Sequence, residues 1–210
     1  MRRKSKKEEP LNIYDQVLRA NENQITRTMY VSLLCILVGG IAGIGAVGFK
    51  YLIEFFHNLL FNGTISIASN RDVAQSVWGP FVVFVPVVGI TIANWITTKW
   101  APEAKGHGVP EVMLAVSENR GKIRPVVALV KSLASAITIG SGGSVGKEGP
   151  IVQIGASFGS TLGQALKLSS RETIILVGAG VAGGISATFH APIGGIMFAL
   201  ELILPEYSIM

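Results

Sequence analysis

Five stretches of this chain contain no aspartate, glutamate, lysine or arginine, and they restrict its possible folds more than any other feature. A helix that crosses a bilayer needs about 20 mostly apolar residues, so the first two stretches are long enough to cross outright. The other three are shorter, or are interrupted by glycine and proline. The five stretches cover residues 28–49, 73–98, 132–146, 149–166 and 173–200. This pattern predicts an all-α polytopic membrane protein in which some membrane helices are broken.

The composition agrees with that prediction. The sequence is 49% hydrophobic and 15% charged, with 25 glycines and a mean hydropathy of +0.49. Soluble domains carry about 25% charged residues. Cys35, the only cysteine, lies in the first uncharged stretch, which rules out an internal disulfide or a cysteine-based zinc cluster. We therefore expect an integral membrane protein without a metal site or cofactor.

The net charge of +5 comes largely from the N-terminus, because five of the 18 basic residues lie in the first seven positions. A basic tail ahead of the first membrane stretch predicts a cytoplasmic N-terminus, here in a plasma-membrane protein. About twenty polar residues separate this tail from the apolar run, which argues against a secretory signal. The basic residues are not interleaved with aromatic side chains that would stack bases, so nucleic acid is not expected as a partner.

We divide the chain into two parts. Residues 1–27 are expected to form a polar cytoplasmic arm with a short surface helix, and residues 28–210 are expected to form the membrane domain. Small residues in the first membrane stretch, among them Gly39, Gly43 and Gly45, have the spacing that lets a second helix approach closely. We interpret them as packing residues rather than ligand contacts.

Glu148 is the most informative single residue. It lies in a glycine-rich segment, Gly140 to Pro150, at the edge of an uncharged stretch. An ionisable group in such a place is costly and marks an ion or substrate path. Pro150 is suited to the first turn of a helix, whose free N–H groups and partial positive charge bind anions.

Two other segments have the same character, namely residues 105–111 and 190–195, where glycine and proline again indicate a helix start. Secondary transporters hold anions between the N-termini of broken helices that meet near the membrane midplane, and they are built from inverted repeats. The three segments therefore indicate one anion path. The design needs no enzyme chemistry, and we do not expect an enzyme.

Two soluble-enzyme motifs compete with this interpretation. The Gly140–Glu148 segment departs from a phosphate-binding loop at Ser141 and at Glu148, where glycine and a hydroxyl residue are required. Gly178, Gly180 and Gly183, with Glu201 about twenty residues on, do match a dinucleotide fingerprint. That motif must follow a strand and open a helix, whereas here it lies inside an apolar stretch. A membrane-bound dinucleotide-dependent oxidoreductase is therefore the alternative from another class.

These three segments closely resemble the anion-site motifs of the CLC family of voltage-gated chloride channels and chloride/proton antiporters. The sequence GHGVPE at 106–111 is similar to the first motif, GKEGP at 146–150 to the second, and TFHAP at 188–192 to the third. They occur in the order and at the spacing of that family, over roughly residues 28–204. The resemblance implies the N-terminal inverted repeat of a CLC protein that passes chloride or a related small anion, with a fluoride-exporting branch as the alternative.

The resemblance also implies roles for individual residues. Glu148 matches the gating glutamate, whose ionised side chain occupies the anion path and leaves it when protonated or displaced. His107 stands where many chloride-selective members have serine. Histidine can donate one hydrogen bond or become cationic, or it can turn aside while backbone amides bind the anion. The expected anion-binding residues are Gly106, His107, Gly108, Val109, Pro110, Gly146, Lys147, Glu148, Gly149 and Pro150.

Leu202 is a departure from the family pattern, because proton-coupled members carry an internal proton-transfer glutamate there. This puts antiport in doubt. Glu148 and Glu201 are the proton-path candidates, and Glu206 is a further acid that can serve. We also expect Lys131 to pair with Glu111 in a structural role; the alternative is that Lys131 adds positive potential along the path.

The sequence matches only the first of the two inverted halves of the family. Polar helix ends of an isolated half would face lipid unsatisfied. We therefore expect a piece of a longer transporter, with the second repeat absent from this chain. The resemblance implies a homodimer in the lipid bilayer, with chloride or a related anion, and protons, as the transported species.

Overall fold

The computed structural model describes residues 13–65 and 77–204, with side chains from residue 24 onward. In that part of the chain every regular element is a helix. Seven α-helices follow one another: α1 (Ile13–His57), α2 (Phe84–Trp100), α3 (Val109–Ser117), α4 (Pro125–Gly140), α5 (Glu148–Ala165), α6 (Ser170–Phe189) and α7 (Pro192–Phe198). A π-helical turn follows α1 (Asn58–Asn62) and another follows α7 (Ala199–Ile203), while 3-10 turns precede α2 (Gly79–Val83) and α3 (Pro102–Ala104).

Among the described residues, three helical segments are long and apolar enough to cross a bilayer: Gln24–Asn62, Gly79–Trp100 and Ser170–Phe189. The first contains the predicted stretch 28–49, and the second covers the predicted stretch 73–98 from Gly79 onward. The third segment overlaps the stretch 173–200, which was expected to be short or broken. It forms one continuous helix that ends at Phe189. His190 then adopts a left-handed φ of 55°, and a new helix begins at Pro192. The predicted starts near residues 110 and 150 are also present, in α3 and α5, and α4 begins at Pro125.

Helix α1 differs from the expected organisation. It runs without a break from Ile13 through position 27, where the arm was expected to end, and continues to His57. The part of the arm from Ile13 onward is therefore helical, but it is continuous with the membrane helix rather than a separate short helix.

Helices α5 and α6 pack through glycines at backbone distance. A Cβ atom on Gly180 would overlap the carbonyl oxygen of Gly155, and one on Gly155 would overlap that of Gly180. Gly183 meets the carbonyl of Gly39 on α1 in the same way. The glycines of the dinucleotide-like pattern thus lie inside a helix and serve helix packing, so the strand–turn–helix context that this motif requires is missing.

The outer face of α1 and α2 is apolar. Large side chains on it are more than half exposed, among them Met29, Ile36, Ile44, Phe81 and Val87. A bilayer would cover such a surface, whereas water would not stabilise it. The buried core lies on the other side of α1, against α4, α5 and α6.

Candidate functional site: an anion path between two helix starts

The starts of α3 and α5 meet at one cavity of about 650 Å³. Helix α2 and helix α4 form its other walls. Its lining includes Ile90, Asn94, Thr97, Lys105, Gly106, His107, Val109, Lys131, Ser135, Thr138, Gly146, Glu148, Gly149 and Pro150. Residues of the first two predicted motifs, separated by about forty positions in sequence, therefore share one cavity.

The two motifs touch through their backbones. A Cβ on Gly149 would overlap the carbonyl oxygen of His107, and one on Gly108 would overlap the carbonyl oxygen of Gly149. Gly108 also has a φ of 97°, which L-residues rarely adopt. Glycine at these two positions thus allows two helix N-termini to converge on one volume.

Glu148 is the first residue of α5 and lines this cavity. Its carboxylate folds back over Gly146, so a Cβ on Gly146 would overlap Oε2. Within the described residues it forms no ion pair, and it is exposed on the cavity side. An ionised side chain here occupies space at a helix start, which is where an anion would bind.

Lys131 provides a buried positive charge to the cavity wall. Its side chain is almost completely buried, and Nζ donates to the carbonyls of Ala104 at 2.9 Å and Gly106 at 2.8 Å. The expected direct pair with Glu111 is absent from the described ion pairs, because the Glu111 carboxylate instead accepts the Gly108 N–H at 2.7 Å. Lys131 therefore has the expected structural role, but it holds the loop around the first motif through backbone carbonyls rather than through Glu111. It also lines the cavity.

Only some of the other residues of the first two motifs line the cavity. Gly106, His107 and Val109 line the cavity, whereas Pro110 is exposed in the first turn of α3 and does not. The Gly108 N–H is already bonded to Glu111. In the second motif, Gly146, Gly149 and the buried Pro150 line the cavity. The Lys147 ammonium lies away from it, over the Phe189 ring at 5.6 Å from the ring centre.

This cation–π contact joins Lys147 of the second motif to Phe189 of the third. The third motif itself, residues 188–192, does not line the cavity. Helix α7 folds back onto α6, with the Gly195 N–H bonded to the Ala191 carbonyl and the Gly195 backbone against Ser186. Glu201 is exposed in the π-turn after α7 and does not line the cavity either. Glu206 lies outside the described residues.

Sequence reasoning missed the contributions of α2 and α4. Asn94 and Thr97 on α2, with Ser135 and Thr138 on α4, place polar side chains on the cavity wall. All four lie in uncharged stretches that were interpreted as membrane helix. Their polar character was a signal in the sequence, but only the packing of α2 against α4 shows that they face one volume.

In the part of the chain that the structure describes, apolar helical spans, broken helices and two helix starts at one cavity define a membrane protein of the ion-transporter class. The chain belongs to the voltage gated chloride channel family, whose model matches residues 89–210. It is therefore an integral membrane protein of the CLC type.

Individual relatives agree with this assignment. The chain is 31% identical over 198 residues to the H(+)/Cl(-) exchange transporter ClcA of Salmonella paratyphi B, covering 92% of this chain and 40% of that protein. To ClcA of Salmonella arizonae it is 29% identical over 205 residues, covering 91% and 42%.

A solved structure is similar as well. The crystal structure of a CLC-type fluoride/proton antiporter matches with a TM-score of 0.66 and 25% identity, over 83% of this chain and 40% of that one. The chain thus spans about two fifths of the length of the relatives that it matches.

Proposed function

We propose that the protein containing this chain moves chloride, or a related small anion, across a membrane along a path gated by Glu148. The observation that carries the proposal is the position of Glu148 at the start of α5, in the cavity that the start of α3 also faces. A carboxylate there competes with an anion for the same N–H groups.

The chemistry of the cavity wall fits a weakly held anion. Helix starts, amide groups and hydroxyls attract chloride without binding it so tightly that it cannot leave. Lys131 adds positive potential, but its ammonium is occupied by two backbone carbonyls. It therefore acts at a distance rather than as a direct ligand.

Proton coupling is part of the proposal because relatives are H(+)/Cl(-) exchange transporters by name. Glu148 is the outer proton acceptor in this scheme. Leu202 replaces the glutamate that transfers the proton on the inner side in proton-coupled family members, so another acid has to transfer that proton. Chloride is preferred to fluoride because the ClcA relatives match at higher identity than the fluoride/proton antiporter does.

The charge distribution supports a cytoplasmic N-terminus. The Arg27–Glu172 ion pair places the start of α6 at the same end of the molecule as the start of the first span. Ser160 on α5 binds the α3–α4 loop, so that loop lies at this end too. Arg120, Lys122 and Lys167 therefore lie on the N-terminal side, as expected for the cytoplasmic face. A plasma-membrane homodimer completes the proposal.

The test is anion flux through the complete transporter in proteoliposomes. Wild type is expected to release chloride under a gradient, while empty vesicles are not, and replacing chloride with fluoride measures the preference between the two branches. Absence of any anion flux from well-folded protein would overturn the proposed function. Flux of fluoride but not chloride would replace chloride as the substrate.

A further inference from the structure

A second cavity lies behind the loop that forms one wall of the anion cavity. It has a volume of about 410 Å³ and lies between α3, the α3–α4 loop and the middle of α5. Lys105 lines both cavities. The charged side chains around the second cavity are those of Glu103, Lys105, Glu111, Lys122 and Arg124.

Glu111 lies at the boundary between the two cavities. Its Oε2 accepts the Gly108 N–H at 2.7 Å, and a Cβ on Gly106 would overlap its Oε1. The carboxylate therefore lies against the loop 106–108, while His107 of that loop lines the anion cavity. Gly106, which the carboxylate contacts, itself lines the anion cavity and has no side chain.

Gln153 indicates that the second cavity holds water. Its side chain is 97% buried (3% relative exposure) and lines this cavity. Nε2 donates to the Glu103 carbonyl at 3.3 Å, but Oε1 has no partner among the described residues. Leaving such a group unpaired is costly, and ordered water, at about 30 Å³ per molecule, satisfies buried polar groups of this kind.

Resting on the proposed anion/proton exchange, we propose that Glu111 is the inner proton carrier, in place of the acid that is missing at Leu202. A hydronium ion in the second cavity gives its proton to the Glu111 carboxylate and becomes water. The neutral carboxylic acid then turns past Gly106 and releases the proton through water to the Glu148 carboxylate. Glu111 is a carboxylate again at the end of the step.

The other charged groups near the two cavities are less suited than Glu111 to carry the proton. Arg124 donates a hydrogen bond to Glu103 that lowers the pKa of that carboxyl, so Glu103 stays ionised at the cavity mouth. Lys131 lies next to Gly106 and opposes the passage of a free cation. A proton carried on a neutral acid avoids that repulsion. Glu201 lines neither cavity.

The experiment measures chloride release and uphill proton movement together, in proteoliposomes of the complete transporter under a chloride gradient. Glu111→Gln is expected to lower proton flux at least tenfold and to change chloride flux by less than about twofold, since glutamine can still accept the Gly108 N–H. The matched control is Glu103→Gln, a carboxylate in the same cavity, which is expected to retain coupling. Gln153→Met removes the buried acceptor, together with the amide hydrogen bond to the Glu103 carbonyl, and is expected to reduce proton flux alone.

Three results would overturn the inference. Glu111→Gln that pumps protons like wild type would transfer the inner step to Glu201 or Glu206. If the wild type moved chloride without moving protons, there would be no proton transfer for Glu111 to perform, while the proposed anion transport would stand. If Glu111→Gln lost both fluxes through misfolding, Gln153→Met with undiminished coupling would decide against the inference.

Discussion

Arg27 on α1 donates two hydrogen bonds to Glu172 on α6, from Nε to Oε1 at 2.6 Å and from Nη2 to Oε2 at 2.9 Å. The two residues are 145 positions apart. Glu172 is buried, and its Oε2 also accepts the N–H and the hydroxyl of Ser169, the N-cap of α6. One carboxylate thus joins the first span to the capped start of the last one.

We expect Arg27→Ala to lower the melting temperature of the purified protein, because the buried Glu172 would lose its paired charge. Arg27→Lys should recover part of the loss, since lysine restores the charge but not the two-point geometry. Lys50→Ala, at an exposed position of the same helix, is the control. An unchanged melting temperature in Arg27→Ala would show that Ser169 alone satisfies the carboxylate.

Gly149→Ala should disrupt the site. The new methyl group would overlap the His107 carbonyl, and backbone atoms cannot yield as a flexible side chain can. Overpacking of this kind costs about 1–3 kcal/mol, and it would separate the two helix starts, so chloride flux should fall strongly. Gly48→Ala, which meets no atom within 4 Å, is the matched control. Normal flux through Gly149→Ala would mean that the two starts need not touch.

Gly106 and Gly146 are also expected to reject bulky residues. A side chain at Gly106 would displace the carboxylate of Glu111, and one at Gly146 would displace that of Glu148. Gly106→Val should therefore impair both anion and proton movement. Vesicle flux assays of both ions would check this, and a loss of anion flux alone would contradict it.

Lys131→Met should weaken chloride binding by roughly tenfold, or about 1.4 kcal/mol, because the wall of the cavity would lose its positive charge. Isothermal titration with chloride measures the change. Ser132→Ala on the same helix is the control, since its hydroxyl bonds only to the Ala128 carbonyl of α4. Unchanged affinity in Lys131→Met would show that the lysine only holds the loop.

Glu148→Gln should conduct anions with little dependence on external pH and should lose proton coupling. Glutamine has no charge to compete with the anion and cannot take up a proton. Flux measured over a range of external pH tests this directly. A variant that keeps the wild-type pH response would remove Glu148 from the role of gate.

Many of the helix starts were predictable from local sequence. Pro110, Pro125, Pro150 and Pro192 lie in first turns of helices, because proline tolerates that place. Gly108, just ahead of Pro110, lets the chain turn there. The uncharged windows predicted the apolar spans for an equally local reason. Which side chains share the cavity was not predictable, since Asn94 and Thr138 meet only when α2 packs against α4.

The partners of buried charged residues could not be predicted from the sequence. Lys131 and Glu111 were expected to pair because both are costly to bury, yet each is satisfied by the backbone of the loop at 104–108. A carbonyl or an N–H group is available at every position, so the sequence cannot show which one a buried charge will use.

The sequence by itself therefore determined the class of protein, the helix starts and the residue types of the first two motifs, because charge, proline and glycine act locally. Only the tertiary structure decided that Gly108 and Gly149 bring two helix starts together and that Glu111 lies between two cavities. The first result depends on a backbone contact between segments about forty residues apart, and the second depends on which helices line the two cavities. Such contacts follow from the packing of α3, α4 and α5 as a unit, and they leave no periodic pattern in the sequence.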